Sequence, residues 1–324
     1  MKLARRSLLG TLAALPLAKP GYASQTTWPG ALKMGTGQPG GAFTIFGPAW
    51  GRLITQATGV EIVYCSTGGS GSNLLMIEEG DAQLGLCSLP VAIQGYNGTG
   101  GWTAGAKLGQ FRVLLPAFPS ILQIVSTTDG ISTLAGLEGR TIGVGPSGAS
   151  SPALMNKIFS SQGIMPARIE EGNYPQQVAK LLKGELSACA FFGAPPVPAL
   201  REVASSNRLR LIGFSEAQAH QASSFVPGLT RMVLKAGTFP GQTVDVGSIG
   251  TLDLAVSSAN LPDALAQAAT LAALQHRAQL AAVVPAAAQP LPLSEIHQAG
   301  LHFHPGAAKA LRQLGYKVPT KAIG

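Results

Sequence analysis

Three turns rich in glycine and hydroxyl side chains are the segments of this sequence best suited to binding chemistry. They span residues 35–43, 66–73 and 145–151, and each lies between a strand-like run and a helix-like run. Glycine lets main-chain N–H groups approach a ligand, serine and threonine add hydroxyls, and a helix start adds free N–H donors. These groups predict a site for a carboxylate or phosphate that needs no arginine.

Two groups of candidate residues could have a structural role instead of a binding role. The hydroxyls near residues 70–73 are also typical N-caps of a helix, which would give them a structural role. Phe192 ends a strand before Gly193 and could stack on a ligand, but an aromatic side chain at that point could equally belong to the core.

Other chemistries fit the sequence poorly. Residues 35–40 match the glycine pattern of a dinucleotide-binding site. That motif requires an acidic residue at the end of the next strand, whereas Glu61 lies at the start of that strand. Residues 68–72 and 145–149 lack the last glycine of a nucleophile elbow. His302 and His304 have no acid or cysteine nearby in sequence to complete a metal site. We therefore expect no catalytic residues, no metal and no cofactor.

The elements that position the turns alternate between strand and helix. The first series has strands at 31–35, 60–65 and 82–87 and helices at 43–58 and 73–79. The second series has strands at 140–145, 186–192 and 209–214 and helices at 152–162 and 175–183. Strand-like runs at 112–117, 121–127 and 243–257 link the series, and helices at 262–282 and 306–314 follow. This alternation predicts an α/β fold with parallel strands, helical crossovers and two domains around a cleft.

Composition excludes two classes of protein. Of 324 residues, 46% are hydrophobic and 12% charged, which excludes a disordered chain. The formal charge is +8, but four cations lie in the first 24 residues, and the rest has 19 basic and 15 acidic side chains. There is no basic run with interleaved aromatics, so we expect no nucleic-acid partner.

The N-terminus predicts export. Arg5 and Arg6 precede a short apolar stretch at 7–18, and small residues allow cleavage near Ala23. The paired arginines favour a twin-arginine signal over residues 1–23, with an ordinary Sec signal or an uncleaved anchor as alternatives. No later segment has about 20 uninterrupted apolar residues. We therefore expect a periplasmic mature protein.

Together these motifs resemble the TAXI family of extracytoplasmic solute receptors, which serve TRAP-type transporters. The resemblance runs from about Leu32 to Gly315 and rests on the order and spacing of several short pieces. These are Gly35-Thr36-Gly37 with Gly40-Gly41, Thr67-Gly68-Gly69-Ser70 with Asn73, Leu137-Glu138-Gly139-Arg140 with Ile142-Gly143-Val144-Gly145, Gly193 with Pro195, and His304-Pro305-Gly306-Ala307.

The resemblance implies a type II periplasmic-binding-protein fold, with a central ligand cleft and crossing hinge strands between two α/β lobes. We place lobe 1 at 28–125 plus 252–324 and lobe 2 at 126–251. The family implies a small carboxylate-bearing ligand, such as an acidic amino acid or a dicarboxylate, and delivery to a TRAP-type membrane permease. We also expect a monomer.

Carried over by position, the family's site predicts a set of ligand-binding residues. From lobe 1 these are Thr36, Gly37, Gln38, Phe43, Thr67, Gly69, Ser70, Asn73 and Ser88, and from lobe 2 they are Ser147, Ser150 and Phe192. Pro90 and Ala149 stand where the family usually has aspartate and serine, which indicates a divergent member. A ligand-sensing subunit for a signalling protein is the first alternative function, and an exported enzyme is the second.

Overall fold

A computed structural model describes residues 28–147, 149–206 and 209–324. The predicted signal peptide at 1–23 lies outside these residues. The chain begins with β1 (Ala31–Gly35), α1 (Phe43–Thr58), β2 (Glu61–Cys65), α2 (Ser70–Glu78), β3 (Leu84–Ser88), α3 (Leu89–Asn97) and β4 (Phe111–Ser126). It continues with β5 (Thr141–Gly143), α4 (Ser151–Gln162), β6 (Arg168–Glu170), α5 (Tyr174–Lys183), β7 (Ala188–Gly193), α6 (Arg201–Ser205), β8 (Arg210–Ile212), α7 (Glu216–Ser224), β9 (Thr230–Leu234) and β10 (Val246–Ser258). It ends with α8 (Asp263–Gln275), α9 (Arg277–Val283), α10 (Leu293–Gln298) and α11 (Pro305–Gln313).

The described strands form one mixed sheet in the order β2-β1-β3-β10-β4-β7-β5-β6, with β8 on β4 and β9 on β10. The strands β1, β2 and β3 are parallel to their neighbours in that set, as are β5, β6 and β7 in theirs. Between these two parallel sets, the long strands β4 and β10 pair antiparallel with each other. The prediction of parallel strands with helical crossovers is confirmed, and β4 and β10 join the two sets.

The strand β4 differs from its prediction because it is continuous where two strands were expected. The strand contains prolines at 116 and 119, which cannot donate to a sheet ladder. Its pairing with β10 has register shifts at Asp253/Leu254, beside Pro116, and at Ala255/Val256. Such bulges let a strand pass a residue that lacks an N–H group and change its direction.

Buried apolar residues form three clusters that follow the two halves of the sheet. The largest draws on residues 32–118, Ala194 and 252–322, and the other two draw on residues 122–249. In the first cluster the buried indole Nε1 of Trp50 donates to the carbonyl of Ala269 at 3.0 Å, which ties α1 to α8. The C-terminal helices therefore pack on the first βα units. The exact boundaries of the two lobes stay a prediction.

Several helices differ from the sequence-based assignment, and α6, α7 and α10 were not predicted. The helix α2 begins at Ser70, inside the predicted turn, and α3 was not predicted, although Pro90 suits the first turn of a helix. The long helix expected at 262–282 is two helices, α8 and α9, that meet at His276. Within the described ranges, no helix combines the length and the apolar character needed to cross a membrane.

Candidate functional site

Five helices begin around one cleft, which we call the polar cleft. Its lining includes Phe43 at the start of α1, Ser70 at the start of α2, Ser88 before α3, Ser150 before α4 and Tyr174 at the start of α5. The first N–H groups of a helix have no partner within the helix, and the helix dipole makes that end positive. The cleft therefore collects donors from both parallel sets of strands.

Six of the predicted residues line the first wall of the polar cleft, the side built by β1, β2, β3 and their turns. They are Gly37, Gln38, Phe43, Gly69, Ser70 and Ser88. Gly69 has φ 126° and ψ −147°, a conformation that favours glycine, and it turns the chain into α2. The Ser70 hydroxyl accepts the N–H of Ser88 at 3.0 Å, so it joins the start of α2 to the end of β3.

Three other predicted residues of this wall do not line the polar cleft. The amide of Asn73, fully buried, donates to the carbonyls of Thr36 and Leu86 at 2.8 and 2.7 Å, and it accepts the Thr67 hydroxyl at 2.7 Å. The Thr36 hydroxyl donates to the carbonyl of Cys65 at 2.9 Å. These side chains bond to the protein itself and position the two turns. Thr67 also lines a neighbouring recess with Gln38.

The second wall of the polar cleft comes from β5, β7 and their turns. Ser150 and Phe192 line it, and Ser147 lines only the adjoining chamber described below. Phe192 lines the cleft and packs against a hydrophobic cluster, so it contributes to the core, and its stacking on a ligand stays a prediction. The buried amide of Gln177 accepts the N–H of Gly145 at 2.8 Å and donates to the carbonyl of Glu170 at 2.8 Å, which holds this turn in place.

The two walls touch each other. The hydroxyls of Ser88 and Ser150 lie 3.2 Å apart and share a hydrogen bond. At another point the N–H of Ala199 donates to the carbonyl of Gly40 at 3.2 Å. The space left between the walls is a cavity of about 60 Å³.

Sequence reasoning missed three polar residues of the polar cleft: Ser120, Tyr174 and Asp253. Asp253 lies on β10 and is 3% exposed, and its Oδ2 accepts the hydroxyl of Ser120 from β4. Its Oδ1 has no hydrogen-bond partner among the described residues. Asp253 is the only charged residue between Val246 and Ser258, and an isolated acid in an apolar strand was the signal available.

The electrostatics of the polar cleft depend on Asp253. Burial raises the pKa of its carboxyl to about 8, and the hydrogen bond from Ser120 offsets part of that rise. Burial, followed by the nearby Asp253, raises the pKa of Tyr174. No lysine or arginine of the described chain lines the cleft. Its chemistry is therefore that of main-chain donors, hydroxyls and one acid that is largely neutral at pH 7.

A second and larger space, which we call the Trp102 chamber, adjoins the polar cleft. Its volume is about 460 Å³, and it shares Ser88, Ala149, Ser150 and Phe192 with the cleft. Trp102 forms part of its wall, with the ring nitrogen donating to the side chain of Gln94 at 3.2 Å. The hydroxyl contact between Ser88 and Ser150 therefore lies where the two spaces meet.

The alternative chemistries find little support in the described part of the chain. No group of three or more histidine, cysteine, aspartate or glutamate side chains there could hold a metal ion. His304 caps α11 by accepting the N–H of Gly306 at 3.2 Å, and His302 shares a hydrogen bond with Tyr96 at 3.3 Å. No histidine in these ranges lines the polar cleft to activate a nucleophile.

Solved structures with a similar fold are periplasmic binding proteins. The periplasmic binding protein BugD superimposes with a TM-score of 0.57 at 11% identity, covering 89% of this chain and 98% of its own. A protein described as a periplasmic transporter gives 0.54 at 12% identity, covering 88% and 96%. A protein from Bordetella bronchiseptica RB50 gives 0.50 at 14% identity, covering 90% and 91%. The predicted type II periplasmic-binding-protein fold is confirmed.

The family follows from a match over most of the sequence. The model of one family covers residues 34–315, a range that contains every predicted site residue and both walls of the polar cleft. The chain therefore belongs to the NMT1-like family.

Proposed function

We propose that this protein is a periplasmic solute receptor. In this proposal it captures a small carboxylate-bearing solute between two lobes, residues 28–125 plus 252–324 and residues 126–251. It then presents the solute to a membrane permease of the TRAP type. The fold supports a binding role, and the TAXI-like motifs and the export signal support the transporter and the compartment.

The observation that carries this proposal is the convergence of five helix N-termini, from both parallel sets of strands, on the polar cleft. Free N–H groups at helix starts bind anions without a cationic side chain. Hydroxyls at Ser70, Ser88 and Ser150 add adaptable donors. A carboxylate is one of the common metabolite groups that such a set of donors recognises.

The conformational part of the proposal rests on the contacts between the walls. Because Ser88 meets Ser150 and Gly40 meets Ala199, the structure corresponds to a closed arrangement. Solute bound between the walls stabilises this arrangement, and a permease can then distinguish loaded from empty receptor.

Thermal-shift measurements on the exported chain test the carboxylate proposal. Propionate, succinate, glutarate and glutamate are compared with the uncharged propionamide and succinamide, each at several concentrations. A solute at 100 times its dissociation constant stabilises the fold by about 2.7 kcal/mol, so at least one acid is expected to raise the melting temperature in a concentration-dependent way. No shift with any acid, or equal shifts with the amides, contradicts the proposal.

A further inference from the structure

The Trp102 chamber offers more apolar surface than the polar cleft, because it is larger and carries more large apolar side chains. Seven of them come from both halves of the sheet: Leu75, Val91, Trp102, Leu154, Phe192, Val226 and Leu229. Lys157 is its one charged lining residue in the described chain, and that residue is exposed on α4. The other polar lining groups are hydroxyls, the Gln94 amide and main-chain groups, so the chamber combines a large apolar surface with uncharged polar groups.

Contacts within the protein fix the Trp102 side chain in the chamber wall. The Trp102 ring has its nitrogen bonded to Gln94 and packs against the backbone of three glycines, Gly71, Gly95 and Gly100. A pocket formed in advance binds an apolar group without the entropic cost of ordering its own side chains. The chamber thus has the properties of a specificity pocket.

The two volumes indicate how a solute divides between the spaces. The polar cleft, at about 60 Å³, is less than half the size of the ~150 Å³ cavity that accommodates one benzene molecule. The Trp102 chamber, at about 460 Å³, exceeds that benchmark about threefold. The cleft suits a single small polar group, and the Trp102 chamber beyond Ser88 and Ser150 has room for a bulkier part of the same molecule.

We propose that the solute is an organic acid with a small polar head in the polar cleft and an apolar aryl or alkyl body in the Trp102 chamber. This inference rests on the proposed function and specifies the solute class. A compact dicarboxylate leaves the apolar side chains unused and places a second anion where Lys157 is the one cationic lining residue of the described chain.

Calorimetric titration of the wild-type protein provides the first test, with acetate, propionate, butyrate, hexanoate and 3-phenylpropionate as probes and succinate for comparison. Since each added methylene that enters an apolar pocket improves binding, affinity is expected to rise along the series. We expect 3-phenylpropionate to bind about tenfold more tightly than propionate, or better. Equal affinity for those two acids, or a preference for succinate, overturns the inference.

A blocking variant provides the second test. Ala153 is an exposed residue on α4 that lines the Trp102 chamber, so Ala153→Trp fills the chamber from its mouth. The advantage of 3-phenylpropionate over propionate should fall to less than about threefold. The matched control is Ala217→Trp, at an exposed position on α7 that lines neither space, and it should retain the wild-type ratio.

The outcomes distinguish a failure of this inference from a failure of the proposed function. Binding of short acids with no gain from an apolar body overturns the inference and leaves the carboxylate receptor intact. An Ala153→Trp protein that keeps the full advantage also overturns the inference. Absence of binding by every acid overturns both.

Discussion

Asp253 is an acid in a cleft otherwise built from main-chain N–H groups and hydroxyls. Its Oδ2 is bonded to Ser120, and its Oδ1 is available to a solute. Because burial raises its pKa to about 8, the carboxyl at neutral pH is mostly protonated and can donate a hydrogen bond to a bound carboxylate. The identity of this residue could be read from the sequence, but its place in the cleft depends on the pairing of β10 with β4.

The pH dependence of unfolding tests this description of Asp253. The unfolded carboxyl titrates near pH 3.8 and the folded one near 8, so between these values the unfolded state releases a proton that the folded state keeps. The Asp253 contribution to the free energy of unfolding is therefore present in full below pH 4. That free energy falls by a few kcal/mol as the pH rises to 8. In Asp253→Asn, which still offers an oxygen to Ser120, this loss should disappear.

Urea denaturation at pH 5, 7 and 9 measures the effect. The matched control is Asp81→Asn, which changes an exposed aspartate and should keep the wild-type dependence on pH. If Asp253→Asn loses as much stability as the wild type between pH 5 and pH 9, the raised pKa is wrong.

At the level of elements, buried side-chain amides as well as hydroxyls hold the βα turns in position. The strand and helix pattern from β1 to β3 could be predicted because each element has local signals, and α1 begins and ends where the sequence indicated. The role of Asn73 could not be predicted from the sequence, since it depends on the approach of β3 to β1. Gln177 serves the second wall in the same way and carries no sequence signal beyond helical spacing.

Gln177→Met tests the importance of this support. Methionine has a similar length but leaves the buried N–H of Gly145 without an acceptor, while the carbonyl of Glu170 keeps only the N–H of Val144. Each unsatisfied buried group costs about 1–3 kcal/mol, and the turn at 145–150 should lose its fixed position. We expect a lower free energy of unfolding and weaker acid binding.

Urea denaturation and calorimetry check both expectations for Gln177→Met. Gln176→Met, at the exposed neighbouring position on the same helix, is the control and should leave stability within about 0.5 kcal/mol of the wild type. Identical behaviour of the two variants would show that the turn stands without Gln177.

At the scale of the whole molecule, β4 and β10 connect the two parallel sets of strands, and the polar cleft lies beside them. Ser120 and Asp253 lie on these connecting strands, whereas Ser88 and Ser150 lie on the walls. A change in the angle between the walls therefore breaks the contact between Ser88 and Ser150 and leaves the bond between Ser120 and Asp253 in place. This arrangement suits a receptor that closes on its solute.

Small-angle scattering of Ser150→Asp tests closure. The Ser150 side chain makes no capping hydrogen bond to α4, so its replacement by aspartate removes none and stability should hold. The new side chain places a carboxylate against Ser88 in a confined, half-buried space. The variant should keep a larger radius of gyration than the wild type in the presence of the tightest-binding acid. Its affinity for that acid should fall about tenfold or more.

Ser160→Asp, on an exposed position of the same helix, is the control for Ser150→Asp and should close like the wild type. The closure proposal is refuted by a Ser150→Asp protein that contracts normally on binding the acid.

The sequence alone determined the features of this protein that depend on neighbours along the chain. Alternating strands and helices, glycine and serine at the turns, and the predicted export signal all express local conformational and charge preferences. The α/β class and a cleft lined by turns follow from the first two. Local signals also placed Gly37, Gln38, Gly69 and Ser70 at the ends of strands.

Tertiary structure alone decided what lies opposite those turns. Asp253 and Ser120 are 133 residues apart and meet only because β4 and β10 pair. The Trp102 chamber combines side chains from α2, α3, α4 and the segment after α7, which share no sequence pattern. Thr36 and Asn73 turn out to bond to their own backbone because strand ends that converge must satisfy buried carbonyls before they can serve a ligand. Contacts between distant segments are set by how a whole chain packs, and no window of sequence contains them.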